Sequence, residues 1–279
     1  MSKTLYISDL DGTLLNRNAE LSQHAKDTLG RMIAEGLSFS VATARTADTA
    51  LKILEGVRWT TPLVLLNGAL IYDSLNKQFV QINTISKDTV TAVLKVFRCL
   101  NVTGLMYSVS NAERAVYYEA FCNKPVRDFI EERRVRYNKN FNCVDSFSDV
   151  TPRDIVYFTL LDTYDKVKPV SDAISEIPGI NRILQKDIYS ADLWFMEIYS
   201  EEASKRNAVA YLRETCGFDR IIGFGDGLND LPMFAACDVS VATENANWQV
   251  KEAADFICGA NTEDGAVKWI ESDFNGKDG

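Results

Sequence analysis

Two carboxylates stand one residue apart near the start of the chain, where the stretch SDLDGTLL follows the short apolar run TLYI. The apolar run predicts a buried strand, so Asp9 and Asp11 fall where that strand ends. One interpretation is a simple turn, because Gly12 can take the positive φ that an Asp-Gly turn needs. The other is a chemical role for the two carboxylates. The stretch alone leaves both interpretations open.

Further polar residues follow other apolar stretches of the chain. Ligands of an open parallel sheet bind outside the carboxyl ends of its strands, so residues at those ends are expected to meet. Taken singly, each residue has a structural interpretation, such as a helix cap, a solvated charge or a turn. Taken jointly, they predict a functional site. The candidate residues are Asp9, Asp11, Thr43, Lys205, Asp226, Asn229 and Asp230.

The negative charge of this set requires compensation. Two carboxylates about 4 Å apart repel each other by roughly 4 kcal/mol at an effective dielectric constant of about 20. A hard cation would compensate them, and Mg²⁺ typically takes one or two carboxylates together with waters and phosphate oxygens. Lys205 adds a further positive charge. Mg²⁺, a lysine and the Thr43 hydroxyl suit a phosphoryl group, whose transfer depends mainly on positioning and charge.

The segments that would position these residues alternate between short apolar strands and amphipathic helices. This alternation indicates βαβ units, and therefore an α/β, Rossmann-like core whose parallel sheet carries helices on both faces. The predicted core strands are 4–8, 39–43, 63–67, 220–224, 239–242 and 256–258. The predicted core helices are 22–35, 46–54, 203–216, 228–236, 248–254 and 262–273.

The middle of the chain has a different pattern. Hairpin-like pairs of strands mixed with helices indicate an α+β domain rather than further βαβ units. The predicted order is helix 86–100, strands 103–109 and 115–121, helix 125–135, strand 154–161, helix 164–177 and strand 180–185. We therefore expect residues 1–83 and 191–279 to form the core and residues 84–190 to form an inserted domain.

Composition excludes several classes of protein. The chain has 279 residues and a net charge of −9, which argues against nucleic acid or an anionic membrane as a partner. The one histidine, His24, lies in a predicted amphipathic helix, so Ser-His-Asp or Cys-His catalysis is not expected. The six cysteines contain no C-x-x-C pair, and we expect them to be reduced. We expect a cytoplasmic protein without a signal peptide or a membrane span.

The motifs resemble those of the haloacid dehalogenase (HAD) superfamily of phosphohydrolases, and within it the Cof-type branch of sugar-phosphatase-like proteins with a large α/β cap. Four superfamily motifs occur in order. They are DLDGT at 9–13, VATAR at 41–45, Lys205 and GDGLND at 225–230. Branch-like features are NGA at 67–69, VATENA at 241–246, KEAAD at 251–255 and NTEDGA at 261–266. The motifs span the predicted core, whereas the match of the middle segment to the cap rests on length and general pattern.

The resemblance implies a phosphatase with an aspartyl-phosphate intermediate. Asp9 would attack phosphorus, and Asp11 would protonate the leaving oxygen and then deprotonate the water that hydrolyses the intermediate. The implied Mg²⁺ ligands are Asp9, the backbone carbonyl of Asp11 and Asp226, with Asp230 in support. The implied phosphate-binding groups are the backbone amides of Leu10 and Ala44, together with Thr43, Lys205 and Asn229. The candidate substrate contacts are Arg45 and Asn67.

The identity of the substrate is the least determined part of this prediction. The resemblance implies a small phosphomonoester, by default a sugar phosphate, and no residue of the inserted domain indicates a ligand. Ala44 and Arg206 stand where glycine is frequent in the branch, which affects how closely the backbone approaches the substrate and removes no reacting group. We expect a monomer rather than an oligomer.

Two alternatives to a phosphatase stay open. A phosphosugar mutase would use the same aspartyl-phosphate and return the phosphoryl group to another hydroxyl. A non-catalytic phosphate-binding regulator would be expected to lack Asp9 or Asp11, and both are present.

Overall fold

The structure is a computed structural model that describes residues 3–110, 113–187, 190 and 192–276. Within these residues the strands are β1 (Thr4–Ser8), β2 (Ser38–Val41), β3 (Leu63–Leu65), β4 (Leu70–Asp73), β5 (Gln78–Ile82), β6 (Leu105–Val109), β7 (Arg114–Glu119), β8 (Asn142–Val144), β9 (Ile155–Asp162), β10 (Ile180–Lys186), β11 (Trp194–Ser200), β12 (Arg220–Gly225), β13 (Val239–Thr243) and β14 (Phe256–Cys258).

The α-helices of the same residues are α1 (Gln23–Ala34), α2 (Ala47–Ile53), α3 (Lys87–Cys99), α4 (Lys124–Tyr137), α5 (Tyr164–Ile174), α6 (Lys205–Cys216), α7 (Leu231–Phe234), α8 (Trp248–Ala253) and α9 (Gly265–Asn275). Single 3₁₀ turns lie at Leu66–Gly68, Phe147–Asp149, Leu228–Asp230 and Asn261–Glu263. Within the described part of the chain, no helix combines the length and the apolar character that crossing a membrane requires.

The chain forms two compact units. Residues 1–81 and 204–279 form the first unit, and residues 82–203 form the second. The second unit ends later in the chain than the boundary at 190 that the sequence predicts, because β11 pairs with β9 and β10. Pairing joins strands that are distant in sequence, so the residues of a strand do not indicate which sheet it enters.

The main sheet of the first unit has the strand order β14-β13-β12-β1-β2, and all of its pairs are parallel. Successive side chains of β1 point to opposite faces. Leu5 packs in one cluster with Val209 of α6, whereas the hydroxyl of Tyr6 donates to Asp273 of α9. Helices therefore cover both faces, and the predicted α/β core is confirmed.

The region after β3 differs from the prediction. The strand expected over 63–67 ends at Leu65, and Leu66 and Asn67 take left-handed φ values of 49° and 52°. Their amides donate to the carbonyls of Arg45 and Thr43, at 3.1 and 2.9 Å, so these hydrogen bonds replace the strand ladder. The following hairpin-like strands β4 and β5, which the sequence did not predict, join β3 in a small sheet of their own.

The second unit is an α+β domain, as the pattern of the middle segment indicates. Its six-stranded sheet has the order β10-β11-β9-β6-β7-β8, and the pairing is antiparallel except between β7 and β8. One cluster of buried residues joins α3 and α5 to the sheet, with Phe97, Phe158, Val170 and Met196 among its members. This unit therefore has a hydrophobic core of its own.

Tyr6 makes the stability of the first unit sensitive to alkaline pH. The side chain is 1% exposed, and its hydroxyl donates to Asp273 Oδ2 at 2.6 Å. Burial, and then the hydrogen bond to this carboxylate, raise the pKa of Tyr6 above its usual value of about 10. Below pH 10 the phenol is protonated in both the folded and unfolded states, so its contribution to stability is fully present there. Above pH 10 only the unfolded state releases the proton, and the contribution declines.

We predict that the free energy of unfolding of the wild type falls relative to that of Tyr6→Phe above about pH 10, by up to about 1.4 kcal/mol per pH unit. Denaturant unfolding of both proteins between pH 7 and pH 11 measures the difference. A difference that stays constant across this range would contradict the assignment to Tyr6.

Candidate active site

The turn that follows β1 carries Asp9 and Asp11. The amide of Asp9 continues the ladder by donating to the carbonyl of Phe224 at 2.9 Å, after which the chain turns. Gly12 has φ +82°, and a Cβ at this position would lie 2.2 Å from Asp226 Oδ2. Glycine is therefore required here both for the turn and for the close approach of Asp226.

The turn that follows β12 brings Asp226 and Asp230 to the same place. Asp230 Oδ2 accepts hydrogen bonds from the amides of Asp226 and Gly227, both at 2.9 Å. Thr13 Oγ1 donates to Asp226 Oδ1 at 2.6 Å, which joins this turn to the one after β1. Carboxylates that accept backbone hydrogen bonds are fixed in orientation, so Asp230 also orders the turn that holds Asp226.

Lys205 is the first residue of α6 and lies between two of these carboxylates. Its Nζ donates to Asp9 Oδ1 and to Asp230 Oδ1, both at 2.6 Å, and the residue is 2% exposed. Gly68 allows the start of this helix to approach, because a Cβ on Gly68 would lie 2.4 Å from the carbonyl oxygen of Ser204. The loop after β3 therefore helps to position Lys205.

The pKa values of the site follow from burial and mutual repulsion. Burial raises the pKa of Asp9 well above its ordinary value; the charge of Lys205 opposes the rise, and those of Asp230 and Asp226 add to it. Burial and the neighbouring Asp230 raise the pKa of Asp226 to about 7. Burial alone would lower the pKa of Lys205, but the carboxylates of Asp230 and Asp9 raise it above its ordinary value. Lys205 is thus held as a cation.

Three carboxylates form a group that could hold a metal ion. One ligand oxygen from each of Asp9, Asp226 and Asp230 lies within 4.8 Å of the others. When all three are ionised they carry three negative charges, of which Lys205 neutralises one, so two remain. A divalent cation would neutralise these two charges, and an all-oxygen donor set suits a hard cation. The residues present therefore fit a divalent metal ion.

Asp11 does not join this cluster through its carboxylate. Its two oxygens accept hydrogen bonds from Arg45, with Nε to Oδ2 and Nη2 to Oδ1 both at 2.6 Å. The sequence predicts Arg45 as a substrate contact and gives no indication of this pairing. The two residues lie 34 positions apart, and only the parallel pairing of β1 with β2 brings them together.

Two predicted phosphate-binding groups are backbone amides. Among the described residues, the amides of Leu10 and Ala44 have no acceptor from another residue of the protein. Backbone amides that lack a protein acceptor are available to an anion. Thr43 is 1% exposed and accepts a hydrogen bond from the amide of Arg45 at 3.1 Å. The side chain of Asn229 lies against Gly227. A Cβ on Gly227 would lie 2.5 Å from Asn229 Oδ1.

Asn67 is 1% exposed in the left-handed turn after β3. Its amide holds the carbonyl of Thr43, as described for the fold. In this structure Asn67 thus orders the loop that carries Thr43, while its predicted contact with a substrate stays a prediction.

The sequence analysis missed two residues that hold the turn after β1. Asn245 Nδ2 donates to the carbonyl of Gly12 at 2.7 Å, and its Oδ1 accepts from the amide of Asn261 at 2.9 Å. Asn261 Nδ2 donates to the carbonyl of Leu15 at 2.7 Å. The segments VATENA and NTEDGA contain these asparagines, so the resemblance identified the segments without indicating this role.

Comparison with known proteins identifies the family. A family model described as haloacid dehalogenase-like hydrolase matches residues 6–270, and the chain belongs to this family. YxeH of Bacillus subtilis (strain 168), named as a candidate phosphatase, is 28% identical over 269 residues, covering 94% of this chain and 95% of that protein.

Two further proteins agree with this placement. The 5-amino-6-(5-phospho-D-ribitylamino)uracil phosphatase YcsE of Bacillus subtilis (strain 168) is 24% identical over 264 residues, with coverage of 94% and 92%. The structure of the sugar phosphatase BT4131, of HAD subclass IIB, aligns with a TM-score of 0.75 at 20% identity and covers 97% of this chain and 98% of its own. The predicted assignment to a Cof-type HAD phosphatase is confirmed.

Lys205 should be essential for the stability of the first unit. We predict that Lys205→Met lowers the free energy of unfolding by about 3–5 kcal/mol, because it leaves the buried Asp9 and Asp230 without their cation. The matched control is Lys52→Met, since Lys52 pairs with Glu55 on the surface, with side chains 58% and 68% exposed. We expect the control to change stability by less than about 1 kcal/mol. Denaturant unfolding of the two variants measures both values, and equal losses would contradict the prediction.

Proposed function

We propose that the protein is a Mg²⁺-dependent phosphomonoester hydrolase that acts on small phosphorylated metabolites through an aspartyl-phosphate at Asp9. The observation that carries the proposal is the arrangement of Asp9, Asp226 and Asp230 around the buried ammonium of Lys205. The cluster combines a nucleophilic carboxylate, a site for a divalent cation and a fixed positive charge. These are the groups that phosphoryl transfer requires.

Mg²⁺ would be held by Asp9 and Asp226, with the backbone carbonyl of Asp11 and the carboxylate of Asp230 in support. Bound there, Mg²⁺ would neutralise charge on the phosphoryl oxygens and lower the repulsion between them and Asp9. Both oxygens of Asp230 already accept hydrogen bonds, from Lys205 and from two backbone amides. We therefore assign Asp230 mainly to orienting Lys205 and the turn that carries Asp226.

The chain's own groups would then bind and transfer the phosphoryl group. The amides of Leu10 and Ala44, the Thr43 hydroxyl, Lys205 and Asn229 would hold its oxygens. Asp9 would attack phosphorus, and Asp11 would give a proton to the leaving oxygen. Asp11 would next take a proton from the water that attacks the aspartyl-phosphate.

The substrate class is proposed from the family and its relatives. A sugar phosphate follows from the Cof-type resemblance, and the name of YcsE adds a phosphorylated ribitylamino-pyrimidine as a second probe. The role of the 82–203 unit in selecting the substrate stays a prediction.

Replacement of the nucleophile tests the reaction itself. We expect wild-type protein to release inorganic phosphate from members of a panel of sugar phosphates, a ribitylamino-pyrimidine phosphate and p-nitrophenyl phosphate. Release should require Mg²⁺, stop with EDTA, and fall by at least about 10⁴-fold in Asp9→Asn, because no other described group replaces the covalent step. Acid-quenched wild type should contain a phosphorylated Asp9 by mass spectrometry.

The outcomes separate the alternatives. Phosphorylation of Asp9 without phosphate release, together with transfer to a second sugar hydroxyl, would identify a phosphosugar mutase. Neither phosphate release nor phosphorylation from any compound of the panel would refute an enzyme of this mechanism.

The metal site has a test that does not depend on activity. At 100 times its dissociation constant, bound Mg²⁺ should stabilise the folded protein by about 2.7 kcal/mol. We expect Asp226→Asn to lose most of this increment. The matched control is Asp238→Asn, because Asp238 precedes β13 and pairs with Arg213 at 2.7 Å, at the amino-terminal ends of the strands, away from the site. Thermal unfolding with and without Mg²⁺ measures the increment, and an unchanged increment in Asp226→Asn would place the ion elsewhere.

A further inference from the structure

The pairing of Asp11 with Arg45 is bidentate. Nε of Arg45 donates to one carboxylate oxygen and Nη2 to the other, both at 2.6 Å. The side chains are little exposed, 10% for Arg45 and 27% for Asp11. Two parallel hydrogen bonds between planar groups fix the rotation of the carboxylate as well as its position.

Arg45 is itself fixed by its backbone. Its amide donates to Thr43 Oγ1 at 3.1 Å, and its carbonyl accepts from the amide of Leu66 at 3.1 Å. The amide of Thr43 donates to the carbonyl of Val64, the middle residue of β3, at 3.0 Å. The loop that carries Arg45 is thus attached to a buried strand, so the guanidinium is a rigid support for Asp11.

We propose that Arg45 is a positioning residue, which orients the carboxyl group of Asp11 for proton transfer to the leaving oxygen of the substrate. The inference rests on the proposed phosphatase function and gives Arg45 a role other than the substrate contact that the sequence predicts. The carboxylate of Asp11 lies outside the cluster of Asp9, Asp226 and Asp230, so its orientation depends on a partner such as Arg45.

The bonds formed and broken in the reaction, and the protons transferred, balance while Arg45 stays paired with Asp11. An oxygen of Asp9 bonds to phosphorus while the ester P–O bond breaks, and the electron pair passes to the leaving oxygen. That oxygen takes the proton of Asp11 and departs as an alcohol. A protonated Asp11 donates from one oxygen for this transfer, and both oxygens keep lone pairs that accept the hydrogen bonds of Arg45. Water then gives a proton to Asp11 and bonds to phosphorus, and the Asp9–P electron pair returns to Asp9.

The two roles of Arg45 predict different dependence on the leaving group. A contact to the phosphoryl group would contribute to kcat/KM for every phosphomonoester. A residue that orients the general acid contributes only where the leaving oxygen needs a proton. Alkoxide leaving groups, as in sugar phosphates, need one, whereas the p-nitrophenolate ion is stable without it.

The experiment compares kcat/KM for p-nitrophenyl phosphate and for the best alkyl phosphate of the panel. For each substrate, kcat/KM covers the steps up to the first irreversible one, so it reports the transfer to Asp9 and excludes the later hydrolysis. We expect Arg45→Leu to lower kcat/KM for the alkyl phosphate by about 10²-fold or more, the usual contribution of a general acid. For p-nitrophenyl phosphate we expect less than about a tenth of that loss.

Arg45→Lys tests the geometry of the contact. Lysine keeps a positive charge and lacks the planar fork, so we expect it to retain most of the preference for p-nitrophenyl phosphate seen in Arg45→Leu. It also carries the test if Arg45→Leu does not fold. The matched control is Arg213→Leu, which breaks the Arg213–Asp238 pair at the amino-terminal ends of the strands and should leave the ratio between the two substrates unchanged.

An equal loss on both substrates in the Arg45 variants would overturn the inference and identify Arg45 as a phosphoryl contact. Full recovery of the alkyl phosphate reaction by Arg45→Lys would overturn it as well, because charge alone would then suffice. Absence of phosphate release by the wild type from both substrates would instead refute the proposed function.

Discussion

The buried ammonium of Lys205 is the constraint around which the first unit is arranged. A charge removed from water is tolerated only with close, well-directed partners, and here Asp9 and Asp230 supply them at 2.6 Å. Meeting this requirement brings together the end of β1, the turn after β12 and the start of α6. These elements lie far apart in the sequence, so the ion pairs at the site also help to determine how the three elements pack together.

The close approach of the turns and of the start of α6 at this site depends on two glycines. Gly12 leaves room for the carboxylate of Asp226, and Gly68 leaves room for the carbonyl of Ser204 at the start of α6. Both have positive φ values, which glycine adopts without the cost that a side chain would bring. The site is therefore assembled from short turns, and the apolar strands beneath them provide the stability that the turns do not.

Two cationic side chains compensate the negative charge of the site. Arg45 neutralises Asp11, and Lys205 neutralises one of the three remaining carboxylates, which leaves two negative charges on Asp9, Asp226 and Asp230. Burial, followed by repulsion from the neighbouring carboxylates, raises the pKa of Asp9 and of Asp226. The same excess favours a divalent cation. In this member of the haloacid dehalogenase-like hydrolase family, the carboxylate of Asp9 is thus held in an unfavourable charge balance.

The sequence by itself determined the class of the protein and the parallel core, and it named in advance the three carboxylates that the structure brings together. Strands β1 and β14 have the predicted bounds, and α6 ends at Cys216 as predicted, because apolar runs and turn residues are local signals. Only the tertiary structure decided that β11 belongs to the second unit, that Leu66 and Asn67 leave the strand, and that Asp11 pairs with Arg45. Each of these depends on hydrogen bonds between residues distant in sequence, and such partners are selected by the folded arrangement rather than by any local pattern.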